Sequence, residues 1–236
     1  MKNLVVANWK LNPTTKKEAV EIFSAIKDGA GDLCEVVVCP PFVYLPAVAS
    51  GEGGLLLGAQ NAFWEEKGAF TGEISAKMLK DLGVEYVIIG HSERRKYFSE
   101  SDEIINKKMK ACIAVDLEQI FCVGETEEER DAGKQEEVVE RQIKKGLEGV
   151  DDVEGMVVAY EPVWAIGTGK NCGTEDAKKM KEFITKLLPG NRILYGGSVN
   201  STNSASYIKE AGYNGLLVGG ASLKPEEFIK IIKSAE

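Results

Sequence analysis

Three residues far apart in the chain could together move a proton: Lys10, His91 and Glu161. An ammonium steadies a developing oxyanion, an imidazole exchanges protons near neutral pH, and a carboxylate can act as a base. Each stands at the end of a short apolar run, in Asn8-Trp9-Lys10, Gly90-His91-Ser92-Glu93 and Ala159-Tyr160-Glu161. Pro162 follows Glu161; it prevents helix and removes a backbone donor. The segment beyond it is closed by Gly167 and Gly169, so 162–170 reads as a small apolar lid with its hinges. Two further runs end in glycine, at Gly196-Gly197-Ser198 and Gly219-Gly220-Ala221-Ser222. Backbone without a Cβ can approach an anion closely and point its N–H groups at it, which suits a phosphate. Taken singly, each feature has a plainer explanation: a solvated lysine, a hydrogen-bonded histidine, a turn-capping glutamate, tight turns. Their convergence on one site is what favours chemistry. Neither a P-loop nor a dinucleotide loop fits. Gly169-Lys170 is followed by Asn171 rather than Ser or Thr, and no GxGxxG follows the first run.

The elements that must position these groups are short and regular. Runs at Leu4–Trp9, Val36–Cys39, Leu55–Ala59, Tyr86–Gly90, Gln119–Val123, Met156–Tyr160, Arg192–Tyr195 and Gly215–Val218 are mostly continuously apolar, as parallel strands covered on both faces should be. Helical patterns lie between them. Thr15-x-x-Glu18 and Thr126-x-x-Glu129 read as helix starts, the second leading on to Val138, Val139 and Ile143. Ile104, Ile105, Met109, Cys112 and Ile113 form another stripe, and Pro225-Glu226-Glu227 begins a last helix. Eight strands alternating with helices predict a single (β/α)₈ barrel over residues 1–236; closure removes both sheet edges that a doubly wound sheet would leave. In such a barrel the C-terminal strand ends share one rim, where the residues above would meet.

Composition narrows the function classes. A net charge of −8 argues against a broad nucleic-acid surface. No apolar run reaches the ~20 residues of a membrane span, and no secretory signal precedes the first strand. The 5 cysteines lack a CxxC pair and read as reduced thiols, which predicts a cytoplasmic protein. A single histidine disfavours a conventional zinc site, so no metal is expected.

Six segments in order resemble the triosephosphate isomerase family over nearly the whole chain. They are Asn8-Trp9-Lys10, 68–73 (GAFTGE), 90–95 (GHSERR), 160–169 (YEPVWAIGTG), 195–199 (YGGSV) and 217–223 (LVGGASL). The resemblance implies a TIM barrel that interconverts dihydroxyacetone phosphate and D-glyceraldehyde 3-phosphate through an enediol or enediolate, without a cofactor. It implies Glu161 as the base. His91 would polarise the carbonyl as a neutral imidazole, its pKa lowered by a helix N-terminus at Ser92-Glu93-Arg94-Arg95. Lys10 would supply positive charge, Asn8 a hydrogen bond, and Glu93 would orient Lys10. Phosphate would be held at Gly167, Ser198, Gly219 and Gly220. The lid would hold the enediolate against elimination of phosphate. The chain departs from the resemblance in being somewhat short, with a compact stretch between Cys172 and Arg192, and in its lid hinge Thr168-Gly169-Lys170.

The loop at 61–75 carries Phe63, Trp64 and Phe70, which is costly if exposed. The resemblance implies a homodimer in which this loop enters a partner, with Thr71 near the partner's site. Two other readings stay open on sequence: a different sugar-phosphate barrel enzyme, such as an epimerase or a Schiff-base aldolase using Lys10, and a phosphate-binding barrel without catalysis.

Overall fold

The computed structural model describes residues 2–32, 34–49, 54–151, 153, 155–166 and 172–235. Eight parallel strands close into a barrel in sequence order: β1 (Leu4–Asn8), β2 (Glu35–Cys39), β3 (Leu56–Ala59), β4 (Tyr86–Ile89), β5 (Glu118–Val123), β6 (Val157–Tyr160), β7 (Arg192–Tyr195) and β8 (Gly215–Val218). Each lies within a residue or two of the run expected from the sequence. The seam pairs Leu4 with Gly215 and Val5 with Leu216. Gly215 is required there: its φ is 152°, and a Cβ on it would stand 1.9 Å from the Leu4 carbonyl oxygen.

Alternation along the strands splits the core in two. Leu4, Val6, Val37, Cys39, Ile88 and Ile120 point into the barrel. Val5, Ala7, Val36, Val38, Val87 and Ile89 point outward against the helices. Helices α1 (Lys16–Ala30), α2 (Leu45–Val48), α3 (Ala76–Asp81), α4 (Ser92–Phe98) and α5 (Asp102–Ile113) serve the first half. Helices α6 (Glu127–Asp131), α7 (Gln135–Gly146), α8 (Thr174–Leu187), α9 (Ser204–Lys209) and α10 (Pro225–Ser234) serve the second.

The local signals explain most of the helix starts. The Thr15 hydroxyl accepts from the Glu18 amide at α1, and Pro225 occupies the first turn of α10 with Glu226 and Glu227 beside it. Thr126 and Glu129 form a full capping box at α6. The single helix expected from Thr126 through Ile143 is in fact two. Gly133 takes a φ of 69°, which ends α6, and α7 restarts at Gln135. The connection from α8 to β7 is short, with α8 ending at Leu187 and β7 beginning at Arg192.

Candidate active site

The C-terminal strand ends enclose a cavity of about 210 Å³. Asn8, Lys10, His91 and Glu161 line it, with Ser198, Gly219 and Gly220 opposite. Residues from β1, β4, β6, β7 and β8 thus meet on one rim, as closure of the barrel demands. Gly167 and the Thr168-Gly169-Lys170 hinge lie outside the described residues. The described start of the lid is Pro162, a single 3₁₀ turn at Val163–Ala165, and Ile166, which also lines the cavity. The Ser198 hydroxyl donates to the Ala165 carbonyl at 2.6 Å, so the loop after β7 touches the lid directly.

Lys10 leaves β1 with φ at 54°. Its amide donates to Asn8 Oδ1 at 3.1 Å, which fixes the orientation of that carboxamide. Its ammonium lies 2.5 Å from Glu93 Oε1. A Cβ on Gly219 would come within 3.3 Å of Lys10 Cε and 3.8 Å of Nζ. The ammonium therefore stands against the glycine loop after β8.

His91 caps α4: its Nδ1 accepts from the Glu93 amide at 3.2 Å. With Nδ1 accepting, the ring's proton sits on Nε2, which is 3.0 Å from Glu161 Oε1. The other Glu161 oxygen accepts from the Ser92 amide at 2.8 Å. Burial disfavours the imidazolium, but the Glu161 carboxylate outweighs it and raises the His91 pKa from its ordinary value. The helix N-terminus works the other way through the Nδ1 bond. The lowered pKa expected for this histidine is therefore not what this arrangement gives, because Glu161 rests on Nε2 and supplies an opposing charge. For Glu161, burial pushes the pKa up, and His91 with the Ser92 amide more than reverses it, leaving a net decrease.

Two groups that matter to this rim had not been singled out from the sequence. Gln60 follows β3 and donates through Nε2 to the Lys10 carbonyl at 2.9 Å and to the Cys39 carbonyl at 2.8 Å. Glu125 follows β5 and is fully buried; it accepts from Tyr160 Oη at 3.0 Å and from Trp164 Nε1 at 2.9 Å. Both are polar residues directly beyond a strand, the signal that pointed to Lys10, His91 and Glu161.

No three His, Cys, Asp or Glu side chains among the described residues are grouped to hold a metal ion. No described helix is long and apolar enough to cross a membrane. All five cysteines are buried; burial pushes the Cys112 and Cys172 thiols up to about 12.

A family model described as triosephosphate isomerase matches residues 3–235. The chain belongs to the triosephosphate isomerase family. Among relatives of that name, the one from Alkaliphilus oremlandii is 48% identical over 245 aligned residues, covering 98% of each chain. The one from Aquifex aeolicus is 48% identical over 247, covering 99% of this chain and 100% of its own. The one from Dictyoglomus thermophilum is 46% identical over 252, covering 99% of both. These alignments run longer than the 236 residues of this chain, so matching these relatives opens gaps within it.

Proposed function

We propose that the chain interconverts dihydroxyacetone phosphate and D-glyceraldehyde 3-phosphate by proton transfer through an enediol or enediolate. The observation that carries this reading is the shared cavity: an ammonium, an imidazole and a carboxylate face one space of about 210 Å³, a size that suits a small phosphorylated sugar. Glu161 removes a proton from the carbon beside the carbonyl and returns it to the neighbouring carbon. His91 Nε2–H donates its proton to the carbonyl oxygen as charge develops there, and Nε2 takes the hydroxyl proton from the neighbouring oxygen in return, while its Nδ1 stays committed to the Glu93 amide. Substrate must displace Glu161 from Nε2, because carboxylate and imidazole otherwise satisfy each other. Lys10, turned by Glu93, balances the negative charge of the phosphate and the enediolate. Asn8 helps to seat the substrate, while Ser198, Gly219, Gly220 and Gly167 contribute backbone donors to the phosphate. The lid at 162–170 closes over the intermediate and keeps water out.

A Schiff-base aldolase needs the Lys10 nitrogen free to attack a carbonyl, whereas here it is engaged by Glu93 Oε1 at 2.5 Å. A coupled assay with glyceraldehyde 3-phosphate tests the isomerase reading. Turnover that disappears when the phosphate is omitted from the substrate is expected; a folded protein without turnover refutes it. Borohydride trapping of substrate on Lys10 would turn the reading to the aldolase.

The homodimer belongs to the same proposal. Leu11 (90% exposed), Val43 (76%), Tyr97 (66%) and Phe98 (65%) all come from the first half of the chain. Loop 61–75 lies in the same half. Its Phe63 ring meets Trp64 at 4.0 Å and Phe70 at 4.9 Å, both tilted, and the Phe63 amide donates to the Ile74 carbonyl. It is therefore held in shape while Phe70 and Thr71 stay exposed. A second copy covering this apolar area, with Thr71 near the partner's site, is the arrangement that these features support. A monomeric mass by light scattering at micromolar concentration would end it. Five buried cysteines without a CxxC pair support a reducing, cytoplasmic setting.

A further inference from the structure

Lys10 carries the cation of the site on a backbone that side chains rarely adopt. Its φ of 54° is left-handed, where a Cβ crowds the following carbonyl. Such a conformation persists only where its surroundings over-determine it. Three contacts do so here. The Lys10 amide is held by Asn8 Oδ1, its carbonyl accepts from Gln60 Nε2, and its ammonium meets Glu93.

The Gln60 contact differs from the other two, because it comes from outside the reacting groups. Its carboxamide nitrogen has two hydrogens in one plane. One reaches the Lys10 carbonyl; the other reaches the carbonyl of Cys39, the last residue of β2. That Cys39 carbonyl also accepts from the Trp9 amide at 3.2 Å. The end of β3 is thereby braced across β2 to the turn that leaves β1. Rotating the peptide after Lys10 back to an ordinary conformation would break the Gln60 bond. It would also carry the side chain away from Gly219, beside which Nζ now lies.

We propose that Gln60 is a positioning residue. By holding the Lys10 carbonyl it keeps the lysine in its left-handed turn and so aims the ammonium at the phosphate and the developing oxyanion. This rests on the reading of Lys10 as that cation. Neither a thioether nor an aliphatic side chain supplies the planar pair of donors, and asparagine carries it too short a distance from the backbone.

The test is a cycle of Gln60→Met, Lys10→Met and the double variant, measured as kcat/KM and as the inhibition constant of inorganic phosphate. Light scattering and melting temperature accompany each. Gln60→Met is expected to weaken phosphate inhibition and raise KM by about tenfold, with kcat changed less, as loss of one charge-orienting hydrogen bond would do. In the Lys10→Met background the same change should alter kcat/KM by less than about twofold, since residues acting as a unit are not additive. A lower melting temperature alone, with phosphate inhibition intact, would make Gln60 merely structural and overturn the proposal. So would an equal loss in both backgrounds. If Lys10→Met itself kept wild-type phosphate inhibition and turnover, the assignment of Lys10 would fail instead, and the two failures are told apart by that single variant. Gln60→Asn serves the same measurement should the methionine variant not fold.

Discussion

Two buried carboxylates stand at adjacent strand ends. Glu161 is just past β6 and Glu125 just past β5, and they are 2% and 0% exposed. The strands abut so closely there that a Cβ on Gly124 would lie 1.8 Å from the Glu161 carbonyl oxygen. Their surroundings differ in kind. Glu125 is gripped by Tyr160 Oη, Trp164 Nε1 and Arg130 Nη1, the last at 3.2 Å and stacked 4.7 Å over the Trp164 ring. None of these partners exchanges a proton near neutral pH. Glu161 meets the His91 imidazole and the Ser92 amide, and it lines the cavity. Burial of a carboxylate therefore does not mark a base. A partner that can itself titrate, and open space beside it, do.

The largest separation between the two sites should appear in turnover. Glu161→Gln keeps the shape but removes the base, and kcat is expected to fall by about 10³–10⁴-fold, the upper range of general base catalysis. Steady-state kinetics on a variant with wild-type circular dichroism checks this. The same loss in a folded Glu125→Gln variant would erase the distinction between the two sites.

The contrast was half legible in the sequence. Glu161 stood out because Pro162 and the glycine-closed lid follow it, while Gly124-Glu125-Thr126 reads as an ordinary helix approach. What Glu125 does depends on Tyr160, Trp164 and Arg130, and no local spacing tells which side chains will converge on a given atom. The barrel itself was readable, because the strands are apolar on both faces and punctuated at regular intervals. The break at Gly133 was not, since the capping box at Thr126 and the buried Val138, Val139 and Ile143 lie on either side of it, and the charged residues of α6 bury nothing that would mark a helix of its own. Equally hidden was the contact of Glu161 with His91, which spans β4 to β6 and reverses the direction expected for the histidine pKa.

Next in size is an effect on stability. In Glu125→Gln an amide N–H₂ replaces an acceptor facing three donors, which should cost about 1–3 kcal/mol. At 2–4 °C per kcal/mol for a chain of this size, the melting temperature should drop by roughly 2–12 °C. Turnover should stay within about tenfold, since hydrogen-bond loss at the hinge touches no reacting atom. A drop confined to kcat, with an unchanged melting temperature, would mean that Glu125 takes part in the chemistry.

A finer test uses the only histidine in the chain, whose ring resonance is therefore unambiguous by NMR. Glu161 raises the His91 pKa, so Glu161→Gln should move its midpoint downward, while Glu125→Gln should leave it in place. Signs follow for stability. His91 with a raised pKa contributes fully below about pH 6.5, and loses that contribution as pH rises through its folded value. Glu161, with a lowered pKa, contributes above about pH 4.3 and loses it as pH falls through its own. The melting-temperature gap between wild type and Glu161→Gln should therefore be widest between these limits and narrow on either side. An upward move of the histidine midpoint in Glu161→Gln would show that the carboxylate does not govern the imidazole.

The smallest expected change isolates the link between Glu125 and the lid. Trp164→Phe keeps an aromatic ring under Arg130 but deletes the Nε1–H donated to Glu125. Loss of that bond should cost about 1 kcal/mol, or roughly 2–4 °C in melting temperature. Trp164 sits in the 3₁₀ turn within the first part of the lid, so the bond also ties that part of the lid to the end of β5. Without it the lid should hold the enediolate less firmly, and a larger share of turnover should end in elimination of phosphate to methylglyoxal. Glu125→Gln removes the same acceptor from the other side, and the two changes should therefore be less than additive in product ratio. Full additivity would mean that Glu125 and Trp164 affect the lid through separate contacts, and the carboxylate at the end of β5 would then be a barrel support with no hold on the lid.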